Sequence, residues 1–417
     1  MRVLFISNLY PPHFIGGYEL ACSEVVHGLI NRGHEALVLT SFSHVPAPPE
    51  PEYINRCLDL RCSYLLETDA KFIEYNRFEA CCSNLQNTYE VSKAVRRFKP
   101  DIVYCWNLYG IGGLAIIDLL TMVGVPWVLC LEDNVPGVLL NQTEPRIRTF
   151  FLRENYDILR DARIIAVSVH LLSEVYDTTG ITFRRGAEVI PYWVASRGMP
   201  VRSTYQCEGR TRFVMSGIIL AHKGVDLILQ AAAHLLHQGF VNFDIDFYGK
   251  GSIDYYRSMA ISLGLHNHVR FLGERKKSHL LEQYQHYDVF LFPTWEREPC
   301  GHAPIEAAAC GCVPIITSTC GVAEWFVDGV HCLKTERTVE ALVETMRAIV
   351  CRQVDLSRLG QATIALARSD LIIDRCLDHT EKILENERRN WDQSVLNDVK
   401  LPLLIHTKHH FARSLVP

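Results

Sequence analysis

Twice along this chain, short runs of wholly apolar residues alternate with stretches whose apolar residues recur at helical spacing, and no other feature restricts the fold as much. Residues 3–6 form the first run. A Gly16-Gly17 turn follows, and Tyr18, Ala21, Val25 and Leu29 then mark one helix face as far as Gly33-His34. Residues 36–39, 102–105, 127–131, 164–167 and 188–190 continue the series. A second series begins after a polar stretch at 196–211. Its predicted strands are 212–215, 243–247, 269–272, 289–292 and 313–316, and its helices are marked by Val225, Ile228, Ala232 and Leu235, then by Leu342, Met346 and Ile349. Strands apolar on both faces belong in parallel sheets covered by helices on either side. Two such series predict an α/β chain of two facing, doubly wound, Rossmann-like parallel-sheet domains with a cleft between them. The expected domains are 1–195 and 205–368. A long charged helix within 369–395 is expected to cross back to the first domain, and the tail 396–417 has no pattern. Residues 44–85 show no clean period, carry Pro46, Pro48, Pro49 and Pro51, and read as an insertion over the first domain.

Charge and composition narrow the function. A net charge of −5 over 417 residues supplies no basic field for a nucleic-acid backbone. No apolar run approaches the roughly 18–20 residues of a membrane-spanning helix, and the opening apolar stretch reads as a strand rather than a secretory leader. Fifteen cysteines without a Cys-x-x-Cys pair suit a reducing, cytoplasmic setting. Cys300, Cys310, Cys312, Cys320 and Cys332 crowd one region with His302 and His331, but in no zinc-ligand spacing; they read as small buried thiols, and no metal site is expected. Arg146, Arg148, Phe150, Phe151 and Arg153 interleave bases with aromatics. They suit either the surface of an anionic membrane, at the inner face and carrying a lipid acceptor, or a half-buried amphipathic helix.

In open parallel sheets ligands sit outside the carboxyl ends of the strands, so chemistry is sought just after each one. The run Asp288 to Ile315 is a buried strand, a short loop, a helix predicted from Gly301 to Gly311 and another strand. Glu298 lies in the loop and Glu306 in the first turns of the helix. Gly301, His302 and Ala303 begin the helix, whose free N–H groups and positive dipole end suit a diphosphate. A carboxylate before such a helix can hold sugar hydroxyls, and one inside it can accept hydrogen bonds from a ribose. Gly217 and Lys223 follow the strand at 212–215, where a cation can neutralise a departing diphosphate. Gly249 and Gly251 follow the strand at 243–247, and Gly16-Gly17 the first strand; each can lie against a nucleotide or sugar, or simply turn the chain. Glu324 either binds the donor or caps a helix. Asp133, facing the cleft from the first domain, orients an acceptor hydroxyl or caps a helix.

These residues together resemble the retaining glycosyltransferases of the GT-B fold, in the large family numbered four, from Met1 to about Val350. The resemblance rests on Leu9-Tyr10-Pro11-Pro12, Gly16-Gly17, Glu19, Leu29 and Arg32-Gly33-His34-Glu35. It continues through Lys223-Gly224-Val225, the Gly249-Lys-Gly251 turn, Val269 to Gly273, and above all Glu298-x(7)-Glu306 with Gly301 inside it. It implies a nucleotide-sugar donor, a glycan, lipid-linked or small-molecule acceptor, and transfer with retained anomeric configuration. It implies Glu298 on the donor sugar, Glu306 on the ribose and Lys223 on the diphosphate, with no obligate metal or other cofactor. Departures stand beside the match. Ile218 replaces an arginine common in the family. Tyr104-Cys-Trp106 replaces a His-x-His, and Glu132-Asp133 a His-Asp, which leaves Trp106, Glu132 and Asp133 as acceptor-side candidates. Pro191-Tyr-Trp replaces the more usual Pro-Asn-Gly at the passage between the domains. A sugar-nucleotide epimerase of the same fold and a non-catalytic nucleotide-sugar-binding protein are the alternatives.

Overall fold

The computed structural model describes residues 1–42, 49–65, 71–74, 76–141, 152–153, 156–157, 159–195, 197–202, 204–205 and 209–391. The first domain carries strands β1 (Arg2–Ile6), β2 (Glu35–Ser41), β3 (Ile54–Leu58), β4 (Cys62–Leu65), β5 (Lys71–Glu74), β6 (Ile102–Cys105), β7 (Trp127–Leu131), β8 (Leu152–Arg153), β9 (Tyr156–Asp157), β10 (Arg163–Ala166) and β11 (Ala187–Val189). Its helices are α1 (Gly17–Asn31), α2 (Leu85–Phe98), α3 (Gly113–Met122), α4 (Val135–Asn141) and α5 (Val169–Thr179). Seven of the strands form one sheet in the order β11-β10-β7-β6-β1-β2-β3, paired parallel throughout. β4–β5 and β8–β9 are short antiparallel pairs beside it.

The second domain carries β12 (Thr211–Ser216), β13 (Phe243–Tyr248), β14 (Val269–Gly273), β15 (Val289–Phe292), β16 (Val313–Thr317) and β17 (Leu333–Thr335). These form a six-stranded parallel sheet in the order β14-β13-β12-β15-β16-β17. Its helices are α6 (Val225–His237), α7 (Ile253–Ser262), α8 (Lys277–Tyr284), α9 (His302–Ala309), α10 (Val339–Val350) and α11 (Leu356–Ser369). The period of two in a strand sets its packing. Phe213 and Met215 join one apolar cluster with α6 and α10, while Val214 between them joins the other, which includes α9 and continues into the first domain.

A final helix, α12 (Ile373–Asn390), packs on α1 and β7. Arg32, capping the end of α1, reaches Asp378 at 2.7 Å and Glu381 at 3.0 Å, and His34 meets Glu381 at 2.7 Å. The chain therefore crosses between the domains twice, and the crossings bond to each other. Val194 N–H donates to the Leu371 carbonyl at 2.8 Å, and Ile373 N–H to the Val194 carbonyl at 3.0 Å.

Two expectations change. The segment 44–85 is not only an insertion, because β3 is the edge strand of the main sheet. Its apolar signal is broken by Asn55 and Arg56, whose guanidinium turns back to the carbonyls of Tyr10 and Pro11. The three-residue strand β17 was not anticipated either. The predicted basic and aromatic patch falls outside the description: Arg146, Arg148, Phe150 and Phe151 are not among the described residues, nor is the Arg153 side chain. The tail 396–417 is also outside it. Among the described residues no helix is long and apolar enough to cross a membrane.

The passage into the second domain is anchored by a buried ion pair. Arg202 and Asp288 have side chains each 5% exposed. Arg202 also donates to the Tyr287 carbonyl, and Asp288 accepts the Arg212 N–H at 2.8 Å. Removing one member leaves a buried charge without its partner. Arg202→Met should lower the free energy of unfolding by about 3–5 kcal/mol, measured by urea titration; a loss under about 1 kcal/mol would show that the pair is no anchor.

Candidate functional site

The carboxyl ends of β12 and β15 are neighbours, and their loops bring Lys223 and Glu298 together. After β12 a short 3₁₀ turn, Ala221–Lys223, carries the lysine, and the Arg337 guanidinium holds that turn through the Ala221 carbonyl at 2.9 Å. After β15 the loop 293–301 is tied to the same turn, because Trp295 N–H donates to the His222 carbonyl at 2.8 Å and the two rings lie 5.0 Å apart. Lys223 Nζ donates to Glu298 Oε2, which also accepts the Thr294 hydroxyl at 3.0 Å. Glu298 is 8% exposed. A carboxylate this buried needs such partners, and the pair supplies them.

Eight residues later Glu306 lies within α9 and is also buried. Its partner is Lys277, at the start of α8, with Nζ 3.0 Å from Glu306 Oε1. Lys277 also reaches Glu24 of α1 at 3.2 Å, across the cleft. Burial pulls the lysine's pKa down, but the two carboxylates outweigh it and the net direction is up. A cavity of about 450 Å³ opens beside these three side chains, floored by Val194, Met199, Leu281 and Leu377. Lys223 and Glu298 do not line it.

The glycines fall at the expected strand ends. Gly217 and Gly249 end β12 and β13, and a Cβ on Gly249 would stand 1.7 Å from the Gly217 carbonyl oxygen. Close packing of the two turns is itself sufficient reason for glycine there. Gly251 pairs with Ile219 beside them. Gly16 caps α1 and Gly17 begins it. A Cβ on Gly17 would meet the His302 ring at 2.7 Å, so this glycine lets the first domain close against the start of α9. Gly301 caps α9, with Ala303 one residue inside it.

His302 faces the passage between the domains. Its ring stacks on Tyr192 with centroids 3.6 Å apart. Both ring nitrogens are buried without a hydrogen-bond partner. Burial pushes its pKa down to about 3, with the Lys277 charge adding, so the imidazole is neutral. The first-domain candidates divide. Trp106 is 1% exposed and packed against Tyr18 and Tyr104, so it belongs to the core rather than the cleft wall. Glu132 is buried, with its carboxylate accepting the Tyr192 hydroxyl at 2.7 Å. Asp133 is exposed, accepts the Asn134 N–H at 2.7 Å, and feels the charges of Arg297 and Glu298 across the cleft. Glu324 caps a helix, and that helix is in the other domain: its carboxylate accepts the Val169 N–H at 2.8 Å and the His170 N–H at 2.6 Å at the start of α5. Arg297 pairs with Glu174 of the same helix.

The crowded thiols Cys300, Cys310, Cys312, Cys320 and Cys332 are buried and free. Among the described residues no group of three or more His, Cys, Asp or Glu side chains could hold a metal ion. Sequence reasoning missed Lys277, Glu24 and the cross-cleft pair Arg297–Glu174. Lys277 does follow a strand's carboxyl end, four residues past Gly273, but Arg275-Lys276-Lys277 reads as a solvated run.

Residues 204–365 match the model of the family described as glycosyl transferases group 1. An uncharacterized glycosyltransferase of Methanocaldococcus jannaschii is 23% identical over 325 residues, covering 74% of this chain and 78% of that protein. Sucrose-phosphate synthase of Thermosynechococcus elongatus is similar in structure, with a TM-score of 0.70 at 16% identity over 92% of this chain and 98% of that one. HepE of Anabaena, crystallised in complex with UDP and glucose, has a TM-score of 0.65 at 16% identity over 92% and 99%. The fold is GT-B.

Burial holds the Glu132 carboxyl well above its ordinary value of 4.5; the Tyr192 hydroxyl opposes this and the charges of Glu19 and Glu24 add to it. A carboxyl raised in the folded state contributes stability that is complete below the unfolded value and lost as pH rises through the folded one. Glu132→Gln cannot ionise. Its stability relative to the unaltered protein should therefore rise steadily from about pH 4.5 upward, as read from thermal melts between acid and mildly alkaline pH. A difference that does not change with pH would show Glu132 to be ionised in the fold.

Proposed function

We propose, from the match of residues 204–365 to the model of the glycosyl transferases group 1, that the chain moves a sugar from a nucleotide-diphosphate donor to a glycan, lipid-linked or small-molecule acceptor, with retention of configuration. The observation that carries this reading is the pairing of half-buried Lys223 with buried Glu298 at the carboxyl ends of neighbouring strands, beside the N-terminus of α9. HepE crystallised with UDP and glucose, and with UDP-glucose, supports a nucleotide-sugar donor.

In this reading the diphosphate lies over the start of α9, at Gly301, His302 and Ala303, where backbone N–H groups and the helix dipole favour negative charge. Gly16 and Gly17 approach it from the first domain. Glu298 holds hydroxyls of the donor sugar and Glu306 accepts hydrogen bonds from the ribose. As the bond from the anomeric carbon to the phosphate oxygen breaks, charge grows on the departing diphosphate, and Lys223 and the helix end meet it. The acceptor hydroxyl attacks from the leaving-group face, and its proton passes to a phosphate oxygen. Asp133 stands across the cleft to orient that hydroxyl. The leaving group is thus met by groups of the chain itself, and turnover is expected to persist in EDTA.

Lys223→Ala and Glu298→Ala should each lower turnover at least about tenfold, since a preorganised contact to developing charge is worth roughly 2–4 kcal/mol. Both variants should fold; in Lys223→Ala the Thr294 hydroxyl still donates to Glu298. Near-normal rates in both would refute the site. Thermal melts against UDP, GDP, ADP and their sugars test the donor side. A ligand at a hundred times its dissociation constant adds about 2.7 kcal/mol, and that shift should vanish in Glu306→Ala. Consumption of donor without any acceptor would favour an epimerase. Binding without turnover on any acceptor would favour a non-catalytic protein.

A further inference from the structure

The passage Pro191-Tyr192-Trp193 leads from the first domain toward the second, and the mechanism above makes no use of it. Tyr192 and Trp193 are 5% and 4% exposed. Tyr192 donates to Glu132 of the first domain and stacks on His302, the first residue of α9 in the second. Trp193 sets its ring edge-on to His302 at 6.2 Å and 82°. Its indole N–H donates to Glu24 Oε2 at 2.7 Å, and Glu24 in turn takes Lys277, which holds Glu306. The backbone beside these rings is fixed, because Val194 is bonded on both sides to the second crossing at Leu371 and Ile373.

Two lines therefore run from adjacent residues into the donor side. One is Glu132–Tyr192–His302, ending at the N-terminus of α9. The other is Trp193–Glu24–Lys277–Glu306, ending at the carboxylate read as the ribose ligand. We propose that Tyr192 and Trp193 are positioning residues for nucleotide binding, with Tyr192 fixing the start of α9 through His302 and Trp193 fixing Glu306 through Glu24 and Lys277. This rests on the donor site proposed above.

The test has an arm that needs no nucleotide. The imidazole of His302 is packed between Tyr192 and Gly17, with Lys277 as the nearest cation and Glu132 behind the Tyr192 hydroxyl. Followed by proton NMR, it should stay neutral from pH 5 to 8 in the unaltered protein. In Tyr192→Ala, which uncovers one face of the ring to water, its pKa should rise from its low value toward the ordinary histidine value, about 6.5. Tyr192→Phe keeps the ring and should keep the imidazole neutral.

The second arm is calorimetry with whichever of UDP, GDP or ADP stabilises the unaltered protein. Tyr192→Ala should weaken binding about tenfold and Tyr192→Phe should restore it to within about threefold. In turnover both effects should fall on KM for the donor rather than on kcat. Trp193→Phe, which keeps a ring but loses the bond to Glu24, should weaken the same nucleotide about threefold or more, and it carries the test should Tyr192→Ala fail to fold. An imidazole whose pKa is unmoved in Tyr192→Ala overturns the first line. Unchanged nucleotide affinity in all three variants overturns the proposal. Absence of any nucleotide binding by the unaltered protein sinks the donor assignment instead, and the NMR arm still reads whether Tyr192 fixes His302.

Discussion

A parallel strand must be followed by a long return before its neighbour begins, so every strand of such a sheet releases its carboxyl end on the same edge. This constraint organises the whole molecule. In the second domain Gly217, Gly249, Lys277, Glu298 and Thr317 all stand at or just after strand ends on one edge. In the first domain Gly16, Trp106, Glu132 and Ser168 do the same. Placing the two edges face to face puts loops from two independent sheets around a single cleft. Residues distant in sequence, such as Glu24 and Lys277, meet there with no contact between the sheets' own cores being required.

The charge in that cleft is almost fully paired. Lys223 is held by Glu298, Lys277 by Glu306 and Glu24, and Arg297 by Glu174. Glu324 occupies the N–H groups that open α5. At the donor site proposed above, an entering donor would exchange partners rather than meet bare charges: its diphosphate would compete with Glu298 for Lys223, and its ribose hydroxyls with Lys277 for Glu306. Exchange of this kind lowers net affinity, because each displaced pair offsets part of the gain. It also favours ligands that satisfy several of these groups at once over those that satisfy one.

How far the sequence displays all this depends on the physics behind each residue. Strands buried on both faces announce themselves, and β6, β7 and β15 match their predicted bounds. β3 does not, because an edge strand with Arg56 in its middle breaks the apolar run. Glu298 and Lys223 are legible because their positions follow from strand ends and a local helix start. Lys277 is not, since its role comes from Glu24, more than two hundred residues away. Trp106 shows the converse error. Its place just after a strand predicts the cleft wall, but Tyr18 and Tyr104 cover it and turn it into core. Glu324 had two readings that spacing could not separate, and the one realised depends on a helix in the other domain.

The contacts that hold the domains together are graded by burial, and the gradient has a mechanical consequence. At the passage, Tyr192, Trp193 and Glu132 are buried and join an aromatic stack to a hydrogen bond. Along α5, the Glu324 carboxylate and the Arg297 guanidinium are open to solvent, Arg297 being 59% exposed, while its partner Glu174 is 14% exposed. Exposed ion pairs contribute about 0–1 kcal/mol each, while buried aromatic pairs add about 0.5–1.5 kcal/mol beyond the area they cover. The α5 side of the cleft, next to Glu298 and Lys223, is therefore held more weakly than the passage, where Tyr192 and Trp193 tie the two domains through buried rings and a hydrogen bond to Glu24.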